Sequence, residues 1–163
     1  MREISILGGI KMGEHFKSLS AIFPIILKKN NEDVEILLHR RKNTGYEDGK
    51  WDIAGSGHVD KGETAKMAVI RECAEELGID VKISDLSFAH LSHRVSSKDG
   101  KTYYDIYFIV NNHEGTPKIM EPNKCSELKW FKINDLPNDI IDIRKTVLDN
   151  YGNNIQYSEL FEK

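Results

Sequence analysis

The stretch GHVDKGETAKMAVIRECAEELGI, Gly57 to Ile79, decides the reading of this chain. Apolar residues from Ala65 to Leu77 recur at helical spacing, which predicts a helix over that span. Thr64 can cap its start, and Gly78 can take the left-handed conformation that ends it. With successive residues turned by roughly 100°, Val69, Ile70, Cys73 and Leu77 form one core-facing stripe. Glu76, Glu72 and Glu75 follow in that order on an arc that begins at the stripe's edge. They flank the core rather than oppose it. Carboxylates on neighbouring turns repel, each pair destabilising a helix by a few tenths of a kcal/mol. A hard divalent cation such as Mg²⁺ or Mn²⁺, which prefers oxygen ligands, would relieve that strain. Three glutamates beside Arg71 would by themselves fit a solvated acidic face better than a site. The ordered residues around them change the balance.

The whole stretch resembles the Nudix box: Gly, five residues, Glu, seven residues, then Arg-Glu-apolar-x-Glu-Glu-x-Gly-apolar. Gly57, Glu63, Arg71, Glu72, Glu75, Glu76 and Gly78 meet every fixed position, with Cys73 and Ile79 at the apolar ones. A chance match at those spacings is very remote. The resemblance implies an α/β fold, the Nudix-type α/β/α sandwich with a mixed sheet between helices. It covers roughly Ser18 to Leu148 of a single domain, 1–163, and leaves short N- and C-terminal extensions.

The resemblance also implies a metal-assisted hydrolase. Glu72, Glu75 and Glu76 become the expected ligands for Mg²⁺ or Mn²⁺, with the main-chain carbonyl of Gly57. Glu63 adds a ligand or a supporting hydrogen bond. Arg71 is expected to orient the glutamates more than to touch substrate. Either Glu72 or Glu75 is the expected general base for an attacking water. Family members commonly bring a further carboxylate from a later loop. Glu121 is preferred to Glu114 and Glu127 for that place, because Pro122 stiffens its backbone.

Composition sets the outer limits. A chain of 163 residues fits one domain with a substantial core. Its formal net charge of −3 argues against a nucleic-acid polymer as partner, since such binders show a basic face. Cys73 and Cys125 are far apart and suggest neither a disulfide framework nor a metal pair. The opening MREISILGGIKMGEHF is too short an apolar run for a signal peptide or a membrane span. The expectation is a cytoplasmic protein, monomer or homodimer, acting on a small nucleotide or diphosphate.

Outside the box the chain reads mainly as strands. SLSAIFPIILKK, Ser18 to Lys29, is a buried strand with Pro24 at a bulge or an edge. A turn at Asn30–Asp33 leads to a second strand, Val34 to Arg40, which makes a hairpin. Lys42 to Lys50 is an exposed loop, and Trp51–Ile53 and His58–Val59 are short strands. Leu86–Val95 and Tyr103–Asn111 form another hairpin across SSKDGK, and Leu128–Phe131 is a short strand. Apolar spacing from Asp139 to Tyr151 predicts a closing helix, with Gly152 as its stop.

Arg40 or Arg41 could grip a substrate phosphate. Tyr46 and Tyr104 could stack on a base, while Trp51 reads as core, and His58, His90 and His93 read as structural histidines. The expected reaction cleaves a nucleoside diphosphate linked to a further group, with nucleoside triphosphate to monophosphate plus pyrophosphate as its leading form. Two alternatives stand beside it. In an isopentenyl-diphosphate-isomerase-like enzyme, Ser56 occupies the stretch where a catalytic cysteine is expected. A catalytically silent ligand-binding module would usually have lost box glutamates, and this chain keeps them.

Overall fold

The run AIFPII can be apolar without alternation because its strand is covered on both faces. The computed structural model describes residues 15–30 and 32–162, so the opening apolar run through Glu14 and the turn residue Asn31 lie outside the described residues. In chain order the strands are β1 (Leu19–Asn30), β2 (Asp33–Arg41), β3 (Trp51–Ile53) and β4 (Gly57–His58). The helix α1 spans Ala65–Leu77, followed by β5 (Leu86–Ser96), β6 (Thr102–Val110) and β7 (Cys125–Lys132). The chain closes with α2 (Asp142–Gly152) and β8 (Tyr157–Glu162).

One mixed sheet runs β3-β2-β1-β6-β5-β8, with β4 also on β1 and β7 also on β2. β1 is antiparallel to β2 and parallel to β6. Alternate residues of β1 serve opposite layers. Ile22 and Ile26 pack with Leu37, Phe108 and the α1 residues Val69, Cys73 and Leu77. Phe23 and Ile25 pack with Leu38, Tyr107 and the α2 residues Val147 and Leu148. The product is the expected α/β/α sandwich.

The caps of α1 form as its sequence predicts. The Thr64 hydroxyl accepts from the Met67 amide at 3.4 Å, and Gly78 ends the helix at φ 64°. Ala68 joins Val69, Cys73 and Leu77 in the buried stripe, and Ile70 packs only partly against it.

Three expectations change. Pro24 lies on a strand central to the sheet, and the edge it occupies is a local one, a gap in the pairing along one side of β1. It falls between the β1 residues paired with β4 (Ala21, Ile22) and those paired with β2 (Leu27 onward). A residue without an N–H is cheap where no partner strand lies on that side. The closing helix begins at Asp142 rather than Asp139, because residues 139–141 pair with β3. The Trp51 amide donates to the Asp139 carbonyl at 3.0 Å, and the Ile141 amide donates to the Trp51 carbonyl at 3.0 Å. Finally, the C-terminal segment is not a mere extension. β8 adds to the sheet parallel to β5, from Leu91↔Tyr157 to Ser96↔Glu162.

Cys73 is fully buried among apolar neighbours, and burial pushes its thiol up to about 12. It is therefore packing material. Cys73→Ala should cost about 1 kcal/mol or somewhat more of stability in denaturant melts. The folded variant should retain its turnover; loss of turnover would show the thiol to be chemical.

Candidate active site

The outer edge of α1 and the turn around β4 enclose an acidic cleft of about 430 Å³. Gly57, Glu72, Glu75, Glu76 and Glu121 all line it. Gly57 is there for want of a side chain: a Cβ at that position would stand 2.1 Å from Glu72 Oε1. Glu121 reaches the cleft because its loop caps the end of α1. The Lys118 amide donates to the Leu77 carbonyl at 3.0 Å and the Met120 amide to the Glu76 carbonyl at 3.1 Å, satisfying last-turn carbonyls that a helix leaves open. Glu114 and Glu127 go elsewhere, to Lys82 and Arg40.

Arg71 holds the cluster together. Its Nε and Nη2 donate to the two Glu63 oxygens at 2.7 and 3.0 Å. Its Nη1 donates to Glu72 at 2.7 Å and Glu75 at 3.2 Å, and Nη2 also reaches the His58 carbonyl at 3.0 Å. Glu63 accepts in addition from the Asp60 amide and does not line the cleft. These bonds bring its carboxyl down to about 2. The arc read from the sequence is visible in the exposures: the Glu72 side chain is 13% exposed and that of Glu75 is 58% exposed. Glu76 lies deepest. Its Oε2 is buried without a hydrogen-bond partner. Burial, then the charges of Glu72 and Glu121, push its carboxyl up to about 8. Burial also raises Glu72, against the pull of Arg71.

The other expected site residues divide. Arg41 faces the acidic cleft and a second one beside it. It is held by Asp52 at 2.9 Å, the Tyr46 carbonyl at 2.7 Å and Thr44 at 3.0 Å. Arg40, the next residue on the strand, points away from both clefts onto Trp51, Glu127 and Asp139. Tyr46 lines the second cleft, whereas Tyr104 is outside both and stacks on His93. Trp51 is buried in the core, and His90 is buried between the Ile155 carbonyl and the Ser158 hydroxyl.

The second cleft, of about 470 Å³, shares Arg41, Thr44, Ser56, Gly57 and His58 with the first. Its floor is a buried ion network that sequence reasoning missed. Arg144 of α2 bonds Asp52 at 2.9 Å, Asp105 at 3.2 Å and the Tyr107 hydroxyl at 2.8 Å. Arg94 bonds Asp105 and, from β8, Glu162. Also missed was His39, buried on β2 at the acidic cleft, its Nε2 unpartnered and its pKa lowered by burial. Parity along β2 puts His39 on one face with Leu37 and Arg41, but with Leu37 and Leu38 both buried it does not tell which face meets a cleft. Nothing in the local pattern marks Arg144 or Glu162.

The acidic cleft suits a divalent cation by its chemistry: a concentration of carboxylate oxygens, an orphaned one among them on Glu76, and a glycine, Gly57, against which the Glu72 carboxylate lies closely. Among the described residues, no three His, Cys, Asp or Glu side chains already converge as a cation cage. Glu72 and Glu75 are drawn to Arg71, and Glu121 to Lys124 at 3.1 Å.

Comparison with known proteins agrees with this arrangement. The NUDIX domain family model matches residues 19–151. An ADP-ribose pyrophosphatase of Methanocaldococcus jannaschii is 33% identical over 125 residues, covering 76% of this chain and 68% of that protein. A Bacillus subtilis protein named "Putative 8-oxo-dGTP diphosphatase" is 29% identical over 135 residues, covering 82% of this chain and 80% of that one. The chain spans only 30% of a longer Caenorhabditis elegans relative, to which it is 31% identical over 120 residues. The crystal structure of a MutT Nudix hydrolase from Burkholderia pseudomallei superposes with a TM-score of 0.72 at 25% identity, covering 82% of this chain and 98% of that one. Fold and box together define a pyrophosphohydrolase-type enzyme. The chain belongs to the Nudix family.

The buried glutamate gives a pH signature in metal-free protein. Glu76 stays protonated in the folded chain up to about pH 8, but ionises in the unfolded chain around its ordinary value of 4.5. Its contribution to stability is complete below about pH 4.5 and is lost as pH rises toward 8. Glu63 works in the other window, its contribution fading only as pH falls from 4.5 toward 2. In EDTA the parent should lose roughly 2–4 kcal/mol between pH 5 and 8, and Glu76→Gln should remove most of that loss. Thermal melts of both proteins across that range check it; parallel curves would contradict the buried charge.

Proposed function

We propose that this enzyme hydrolyses a nucleoside diphosphate linked to a further group, with a nucleoside triphosphate, split to monophosphate and pyrophosphate, as its leading substrate. The observation that carries the reading is the orphaned oxygen of Glu76, set among Glu72, Glu75 and Glu121 beside Gly57. These groups would hold Mg²⁺ or Mn²⁺, with Glu63 supporting from behind Arg71. When bound, such a cation offsets diphosphate charge and makes a water acidic enough to attack phosphorus near neutral pH. Glu72 or Glu75 then takes the proton of that water as its oxygen bonds to phosphorus and the phosphoanhydride oxygen departs. Arg71 keeps both carboxylates aimed, and Arg41 lies near enough to both clefts to meet a phosphate. The named activities of the Bacillus and Methanocaldococcus relatives, on 8-oxo-dGTP and ADP-ribose, both fall within this substrate class.

A prenyl-diphosphate isomerisation expects a thiol where Ser56 stands at the cleft; Cys73 is sealed in the core, and the Cys125 thiol at the cleft is engaged with the Glu127 carbonyl at 3.2 Å. The test is product release from nucleoside triphosphates, ADP-ribose and a prenyl diphosphate, each with Mg²⁺ and with EDTA. Hydrolysis of at least one nucleotide, abolished by EDTA, is expected. Activity on the prenyl compound alone would overturn the reading. Glu76→Gln should lower turnover by at least ~100-fold, roughly 2.7 kcal/mol of transition-state stabilisation.

A further inference from the structure

β8 lies beyond the residues matched by the family model, yet its Glu162 lines the second cleft. Its alternation turns Ser158, Leu160 and Glu162 inward and Glu159 and Phe161 outward. The end of the strand is fastened: the Ser97 amide donates to the Glu162 carbonyl at 3.0 Å. This delivers the Glu162 side chain to a definite place, where Tyr46 Oη donates to Oε1 and Arg94 Nη1 donates to Oε2.

We propose that the second cleft takes the uncharged organic end of the substrate and that Glu162 selects it by accepting a pair of adjacent hydrogen-bond donors. The inference rests on the reading that the cleaved diphosphate occupies the acidic cleft, which this cleft adjoins through Arg41, Ser56 and Gly57. Its first support is charge. In the floor network, Arg41, Arg94 and Arg144 face Asp52, Asp105 and Glu162, three cations to three carboxylates. Below the exposed rim, where Lys98 and the Asp99–Lys101 pair stand, this closed network leaves no unpaired cation for an anion among the described residues.

Its second support is the count of lone pairs. A carboxylate has about four acceptor positions, two on each oxygen. Asp52 Oδ1 is filled by Arg144 and the Ile53 amide, and its Oδ2 accepts from Arg41. Asp99 pairs with Lys101 at the exposed rim. Of the two lining carboxylates below the exposed rim, Asp52 and Glu162, Glu162 is the one bonded only once on each oxygen, which leaves acceptor capacity on both. The Tyr46 and Tyr103 rings line the same cleft and give a flat group apolar surface. Two chemistries present such a donor pair: the amide edge of an oxopurine and the vicinal hydroxyls of a ribose.

Equilibrium binding of dGMP, AMP and dAMP in Mg²⁺ separates the two. dGMP carries the donor edge without the diol, AMP the diol without the edge, and dAMP neither. The parent should bind dGMP or AMP at least about tenfold tighter than dAMP, as one well-placed pair of bonds to a charged acceptor provides. Glu162→Gln should shrink that advantage below about threefold, while Glu159→Gln, on the outer side of β8, keeps it. Should Glu162→Gln not fold, Glu162→Asp withdraws the carboxylate by one methylene and should lose most of the preference. Equal binding of all three nucleotides by the parent, or a preference that survives removal of the Glu162 carboxylate, overturns the inference. A preference without hydrolysis of any nucleotide would sink the hydrolase reading and leave this one standing. Hydrolysis without a preference would do the reverse.

Discussion

The packing of α1 forces like charges together. Its buried stripe fixes which way the helix faces, and that orientation places Glu72, Glu75 and Glu76 on the rim of one cleft, with Glu121 brought opposite by the loop that caps the helix. One guanidinium serves most of this cluster. Arg71 bonds three glutamates and the His58 carbonyl, tying α1 to the β4 turn. Glu76 is left out of that arrangement, and burial makes it costly to ionise. The structure thus keeps an unbonded buried carboxylate oxygen beside a cluster that Arg71 otherwise ties together. Sites that depart from the general rule of paired buried charge are where chemistry tends to lie.

A second polar system has the opposite character. Asp52, Asp105, Arg94 and Arg144 are all nearly inaccessible and mutually bonded, joining β3, β6, β5 and α2. Buried ion pairs of this kind add little net stability over an apolar core, yet removing one partner costs about 3–5 kcal/mol. Such a network makes the geometry of its surroundings hard to vary. Here it underlies the floor of the second cleft, so that floor is rigid, polar and balanced in charge.

What the sequence revealed follows from where local pattern was sufficient. α1 was legible to the residue because its stripe, Thr64 cap and Gly78 stop agree with one another. β1 was legible as a run of apolar residues, but the position of Pro24 depended on which strands flank it, a long-range fact. Ile140 and Ile141 read as helix by spacing, and tertiary pairing with Trp51 overrode them. β8 escaped notice because YSELFE is short and one-third acidic, and its inward positions are filled by Ser158, Leu160 and Glu162 rather than by an apolar set. Arg40 and Arg41 could not be told apart by type. Strand parity sends them to opposite faces, but the flanking Leu37 and Leu38 are both buried and so give no clue to which face holds the clefts.

The two clefts together divide the work that a phosphoanhydride substrate demands. Its diphosphate is anionic and must meet an electropositive centre, which an excess of carboxylates can create only by gathering cations. Its remaining end need not be charged at all, and a floor of paired arginines and carboxylates discriminates by hydrogen-bond geometry instead. The shared residues Arg41, Thr44, Ser56, Gly57 and His58 form the seam between the two regimes. Residues of the box define the first regime and come from one contiguous stretch. The second is assembled from β3, β5, β6, α2 and β8, elements spread along the chain. A substitution on β8 can therefore retune recognition without touching a box residue, whereas a substitution on α1 that moves one glutamate disturbs every neighbour held by Arg71.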